Sequence, residues 1–129
     1  MLSDAEVGAS IAVKDLEAAK GWYGKTLGLT PEREAPDGIY YRLGGGTQFF
    51  IYPSTFAGTA QNTVAGFRVK NLEREMEELR SSGVTFEEYD FPGLNTENGL
   101  AMLGTWKAAW FKDSEGNILS ITEQVAPAS

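Results

Sequence analysis

Two stretches of helical period stand out in a chain that is otherwise strand-like. After Asp15, the residues Leu16, Ala19, Tyr23 and Leu27 recur at the spacing that gathers side chains on one helix face, and Gly28 follows where a left-handed backbone can close the helix. After Asn71, Leu72, Met76 and Leu79 repeat the pattern and Gly83 closes it. Asp15 and Asn71 are residue types that cap free backbone N–H groups, and Glu17, Glu73 and Glu75 lie near the positive helix starts, where acidic side chains are favourable. The helix openings are near copies, "VKDLE" at residues 13–17 and "VKNLE" at residues 69–73. Each follows a short strand-like run, "GASIAV" or "TVAGFRV". Each is succeeded by three more strand-like segments, "LTPEREA", "IYYRL" and "QFFIYPS" in the first copy, "VTFEEYDF", "KAAWFKD" and "NILSITE" in the second. Both halves therefore read β-α-β-β-β. The expectation is an α+β fold of two tandem modules, approximately residues 6–53 and 62–124, within a single domain over residues 1–129. The small polar segment "STFAGTAQN" links them.

Alternation along the strands divides their side chains between two faces. Ala9, Ile11 and Val13 are assigned to the helix side, leaving Gly8, Ser10 and Ala12 opposite. In the second half Ala65, Phe67 and Val69 go under the helix, leaving Val64, Gly66 and Arg68. Apart from Arg68, the far face of both opening strands is built from small residues. Room for a ligand in a curved sheet is one consequence; close packing against another sheet or subunit is the other. The insertion "PGLNTENGLAMLGTW" interrupts only the second half, and long loops of this kind often line binding sites.

Composition narrows the chemistry. The chain has no cysteine and no histidine, which removes disulfides, thiol nucleophiles, imidazole ligands and serine–histidine relays. Any acid or base must be Asp, Glu, Lys or Tyr, and any divalent metal would need an all-oxygen site. A net charge of −7, with no basic run, argues against nucleic acid and weakly favours cationic ligands. The start lacks a secretory pattern and no apolar run approaches the roughly 20 residues of a membrane helix, so no membrane partner and a cytoplasmic location are expected. "LGGGT" joins two strands without the Lys-Ser/Thr of a phosphate loop and reads as a hairpin turn. Glu73, Glu75, Glu77 and Glu78 read as a solvated helix face.

The paired layout, the two "V-K-[D/N]-L-E" helix starts, "WYGKTLGL" and the ending "DSEGN-I-L" together resemble the vicinal oxygen chelate superfamily of glyoxalases, extradiol dioxygenases and fosfomycin- and bleomycin-resistance proteins. The resemblance runs from about residue 8 to residue 123. It implies a curved mixed sheet enclosing a cleft, helices outside, and a homodimer. It also implies that a metal, where present, is held from the first and last strands of each module by His or Gln and Glu. Counted from the helix caps and from the glycines before the last strands, these positions fall on Gly8, Val64, Phe50 and Ser120. None is a normal divalent-metal ligand, and only Gln48 nearby is a plausible oxygen donor. No metal and no cofactor are expected.

What remains is a cleft whose candidate ligand-binding residues are Ser10, Tyr40, Phe50, Tyr52, Val64, Arg68, Trp106, Trp110 and Ser120. Aromatic walls with a few hydroxyls suit a small aromatic or cationic organic molecule, through stacking and cation–π contact. Arg68 could bind a ligand carboxylate or merely reach solvent. The leading expectation is a metal-independent binder similar to drug-sequestering resistance proteins. The alternatives are a metal-independent lyase- or isomerase-type enzyme using Glu, Asp or Tyr, and an interaction module whose cleft is filled by side chains.

Overall fold

The two helices form where their caps and apolar stripes place them. In the computed structural model, which describes residues 1–125, α1 spans Leu16–Leu27 and α2 spans Leu72–Ser81. Asp15 Oδ1 accepts from the Ala18 N–H at 3.0 Å and Asn71 Oδ1 from the Arg74 N–H at 3.2 Å. Each such cap contributes about 1 kcal/mol. The ends match as well. Gly28 at φ 70° and Gly83 at φ 97° adopt the left-handed backbone, and the Leu29 and Val84 N–H groups reach back to the Tyr23 and Leu79 carbonyls.

Around the helices run β1 (Ala9–Val13), β2 (Arg33–Ala35), β3 (Gly38–Arg42) and β4 (Gln48–Pro53) in the first half. The second half has β5 (Thr63–Arg68), β6 (Asp90–Phe91), β7 (Leu94–Asn95), β8 (Ala101–Leu103), β9 (Trp106–Lys112) and β10 (Ile118–Gln124). They make two mixed four-stranded sheets of order β1-β4-β3-β2 and β5-β10-β9-β8, with β1 beside β5 at the seam and a small hairpin, β6-β7. In both sheets the opening strand pairs in parallel with the last strand of its own module. The repeat read from the sequence is thus a repeat of topology.

One segment departs from expectation. "VTFEEYDF" does not run as a strand: its backbone meets the sheet at the Phe86–Phe111 bridge and through the Glu87 N–H donating to the Trp110 carbonyl, then turns away into β6. Residues of the insertion, β8, take the rest of that edge beside Trp106 to Ala108. The Glu88 carboxylate draws the chain off the sheet by accepting from the Thr96 hydroxyl and the Gly99 N–H, both at 2.7 Å.

A single apolar cluster fills the space between helices and sheets. It joins Ile11, Val13, Tyr23, Tyr41 and Ile51 of the first half to Leu72, Met76, Phe111, Leu119 and Ile121 of the second. Rings of Tyr41 and Phe49 stack at 4.9 Å, and Phe49 meets Phe67 edge-on at 6.0 Å across the modules. The halves are also locked by a buried polar cluster. Asp113 Oδ1 accepts from the Glu115 and Asn117 N–H groups, while Oδ2 accepts from Asn117 Nδ2 and, at 2.7 Å, from the Tyr23 hydroxyl of α1. Asn117 Nδ2 also donates to the Ala12 carbonyl of β1, and its Oδ1 accepts from the Gly58 N–H of the linker. The linker is therefore docked, and Gly58 has no room for a side chain: a Cβ there would lie 2.0 Å from the Glu115 carbonyl oxygen at φ 70°.

Two outcomes follow from this lock. Asn117→Ala and Gly58→Ala should each lower stability by about 2–4 kcal/mol in chemical denaturation, because each strands buried polar groups or forces the linker off the turn; changes below about 0.5 kcal/mol would show that the turn does not join the halves. Burial, then the Asp113 carboxyl, hold the Tyr23 hydroxyl well above its ordinary value of 10.0. A raised phenol stabilises the fold fully below its unfolded value, and that stability is lost as pH rises through and beyond it. Stability should therefore fall above about pH 10 by up to about 1.4 kcal/mol per pH unit from this residue. Tyr23→Phe should be weaker at pH 7 yet show a shallower alkaline loss; an unchanged alkaline slope would remove Tyr23 as its source.

Candidate functional site

On the face away from the helices, strand pairing lines up side chains in transverse rows. In the first half Tyr40 lies opposite Phe50, and Phe50 opposite Ser10. In the second half Trp110 lies opposite Ser120, and Ser120 opposite Gly66. These are repeat-related trios: the two rows occupy the same places in their modules. Adjacent rows carry Tyr52 with Ala12, and Thr122 with Arg68 and Ala108.

The first-half row stacks two rings, and the adjacent row adds a third. Tyr40 and Phe50 lie 5.1 Å apart with their planes 10° from parallel, and Tyr52 follows Phe50 at 5.4 Å. Gly38 makes room for this stack, since a Cβ there would sit 3.1 Å from Phe50 Cδ2. All three rings are only half-buried, unlike Tyr41 and Phe49 on the helix side. Arg33 of β2 covers the outer ring, its guanidinium 4.0 Å from the Tyr40 centroid, and the Tyr40 hydroxyl donates to Asp37 Oδ2 at the edge of the face.

In the second half Trp110 meets Tyr89 edge-on at 5.5 Å, and Tyr89 leads to the exposed Phe91 of the β6-β7 hairpin. Burial, then the nearby Glu87, raise the Tyr89 hydroxyl above its usual value. Ser120 is buried, and a Cβ at Gly66 would fall 2.7 Å from its Oγ, so these two small residues are matched in shape. Val64 is half-buried and packs against the core cluster. Arg68 is exposed, its guanidinium 5.0 Å from the Trp106 ring centroid. The candidates thus fall into two patches, Ser10, Tyr40, Phe50 and Tyr52 in one sheet and Trp106, Trp110, Ser120 and Arg68 in the other, with Val64 aside. Tyr89 and Arg33 were missed by sequence reasoning. Arg33 faces this side because its register partner is Tyr40. At the seam a groove of about 740 Å³ brings together Gly8 and Gln48 from one sheet and Gly66 and Arg68 from the other.

Two β-α-β-β-β modules set side by side by their opening strands define a paired-module α+β domain. The model of the Glyoxalase/Bleomycin resistance protein/Dioxygenase superfamily matches residues 7–121, and the chain belongs to that superfamily. A glyoxalase-family protein from Bacillus anthracis has the same fold, with a TM-score of 0.71 at 16% identity over 94% of this chain and 95% of its own. A glyoxalase/bleomycin resistance protein from Catenulispora acidiphila superposes with a TM-score of 0.64 at 22% identity, over 92% and 96% of the two chains. The fosfomycin resistance protein FosX from Listeria monocytogenes does so with a TM-score of 0.67 at 12% identity, over 95% and 94%. No curated protein matches the chain significantly.

The metal positions implied by the resemblance can be tested against this geometry. Gly8 has no side chain, the Phe50 ring stacks on Tyr40 and lies tilted against Tyr52, Val64 packs on the core, and Ser120 offers one hydroxyl against Gly66. The nearby Gln48 amide lies against the Arg42 guanidinium. This donor set does not fit a divalent cation.

If Phe50 belongs to an open platform, truncating it should cost little. Phe50→Ala is expected to lose about 1–2 kcal/mol, against about 3–5 kcal/mol for its buried neighbour Phe49→Ala, both read by urea denaturation. Equal losses would make Phe50 an ordinary core residue.

Proposed function

We propose that the protein binds a small, planar aromatic molecule on the helix-free face without a metal, as a sequestering protein and not as a catalyst. The observation that carries this reading is the half-exposed ring cluster Tyr40–Phe50–Tyr52, whose row Tyr40–Phe50–Ser10 is repeat-related to Trp110–Ser120–Gly66. Core rings would be covered, whereas these stay half-exposed beside a floor kept low by Ser10, Ala12 and Gly66. A fosfomycin resistance protein and a glyoxalase/bleomycin resistance protein among the structural neighbours support a drug- or metabolite-binding role for the fold. The cationic ligands favoured by the overall charge fit less well: Tyr40 and Trp106 already carry the protein's own guanidiniums, and a ligand cation would meet them.

The enzymatic alternative is weaker because the rows themselves contain no carboxylate, and Asp37 reaches the face only at its edge, through Tyr40. The filled-cleft alternative is weaker because the rings remain half-exposed. The homodimer stays part of the proposal. Met102 and Leu103 of the edge strand β8 are 59% and 38% exposed, an apolar surface a second copy would cover. Among the described residues no helix is long and apolar enough to cross a membrane.

A library of planar aromatic compounds should raise the melting temperature of the wild-type protein and quench tryptophan emission, and Phe50→Ala and Trp110→Ala should weaken the best hit about tenfold or more. A uniformly flat thermal response would sink the binding reading.

A further inference from the structure

We infer that the ligand of this face carries an anionic group, a carboxylate or similar oxyanion, and that Arg68 is the residue that takes it. The inference deepens the proposed binding function and rests on it. Among the described residues lining the seam groove, Arg68 is the one charged side chain; the others are glycines, aliphatics, two phenylalanines, Thr47 and Gln48. The groove's volume of about 740 Å³ lies within the size range of small-molecule sites.

The guanidinium is free for this task. Lys20, Arg42, Arg74, Lys107 and Lys112 are each engaged by a carboxylate, and Arg68 belongs to none of these ion pairs. Arg68 lies instead over the Trp106 ring, its guanidinium 5.0 Å from the centroid, a contact that leaves its N–H groups unspent. Its cross-strand neighbour Thr122 supplies a hydroxyl on the same face. The groove is lined by none of Tyr40, Phe50, Tyr52 and Trp110 and lies beside those rings at the seam; there Gly8 and Gly66 leave room for the ligand's anionic end, and the fork gives a planar oxyanion two parallel hydrogen bonds.

The experiment uses three probes of nearly one shape: naphthalene-2-carboxylate, naphthalene-2-carboxamide and naphthalene-2-carboxamidine. Binding to the full-length wild type, Arg68→Gln and Arg68→Lys is measured by calorimetry at low and moderate salt. The carboxylate should bind wild type about tenfold or more tightly than the carboxamide, with the amidine weakest, and its advantage should shrink as salt rises. Arg68→Gln should erase the preference while leaving carboxamide affinity within about twofold, and Arg68→Lys should keep part of it. Because Arg68 is exposed, melting temperatures of the variants should stay near wild type, which separates lost recognition from lost folding. Binding of all three probes with equal affinity, or a carboxylate preference that survives Arg68→Gln, overturns the role of Arg68 while the aromatic-binding reading stands. Binding of none overturns both.

Discussion

The carboxyl group of Asp113 is the point on which the arrangement of the molecule turns. Four donors converge on it, two from its own turn, one from Asn117 and one from Tyr23 in the other module. A buried polar group without partners would cost several kcal/mol, so this cluster is favourable in one assembly of the halves and penalising in others. Apolar contacts such as Phe49 against Phe67 supply the larger driving force, but they are tolerant of small slides. The hydrogen bonds are not. They set β1, α1 and the linker against the β9-β10 turn, and so set the relation between the two sheets.

That relation makes the helix-free face. Each module by itself is a helix on a four-stranded sheet, of a size that buries a core only marginally. Joined, the modules place repeat-related rows on one continuous side of the molecule. The rows have diverged in the same direction, with the larger residue in the first module at both positions. Where the first module has bulk at Phe50, the second has Ser120; where the first has Ser10, the second has the smaller Gly66. The turns have diverged too. "LGGGT" closes the first module with local hydrogen bonds of its own, whereas "DSEGN" spends its side chains on the neighbouring module. The symmetry of the repeat is therefore broken both where the halves meet and where a ligand would sit.

Charge shows how composition and placement part company. The excess of carboxylates describes the average surface, and many of them lie on α2 or in ion pairs along the rims. Over the rings of the helix-free face stand Arg33 and Arg68. A field that is negative at long range is thus compatible with local recognition by guanidinium groups, because close contacts fall well inside the screening length of about 8–10 Å.

Local rules made much of this legible beforehand. The caps Asp15 and Asn71, the closing glycines and the apolar stripes depend on residues three or four apart, so the sequence alone determined both helices and the two-module repeat. Strand alternation, equally local, determined which side Ser10, Tyr40, Phe50, Trp110 and Ser120 would take. Pairing between distant segments is not local, and there the sequence was silent or misleading. Residues 84–91 have the composition of a strand, yet the Glu88 hydrogen bonds and competition from β8 for the edge of β9 lead them off the sheet into the β6-β7 hairpin, with Tyr89 against Trp110. The docking of Asn117 on Ala12, 105 residues away, and the stacking of Arg68 on Trp106 were likewise decided only in the tertiary structure. Periodicity assigns a side chain to a face; which neighbours it finds there depends on registers set by the packing of the whole chain.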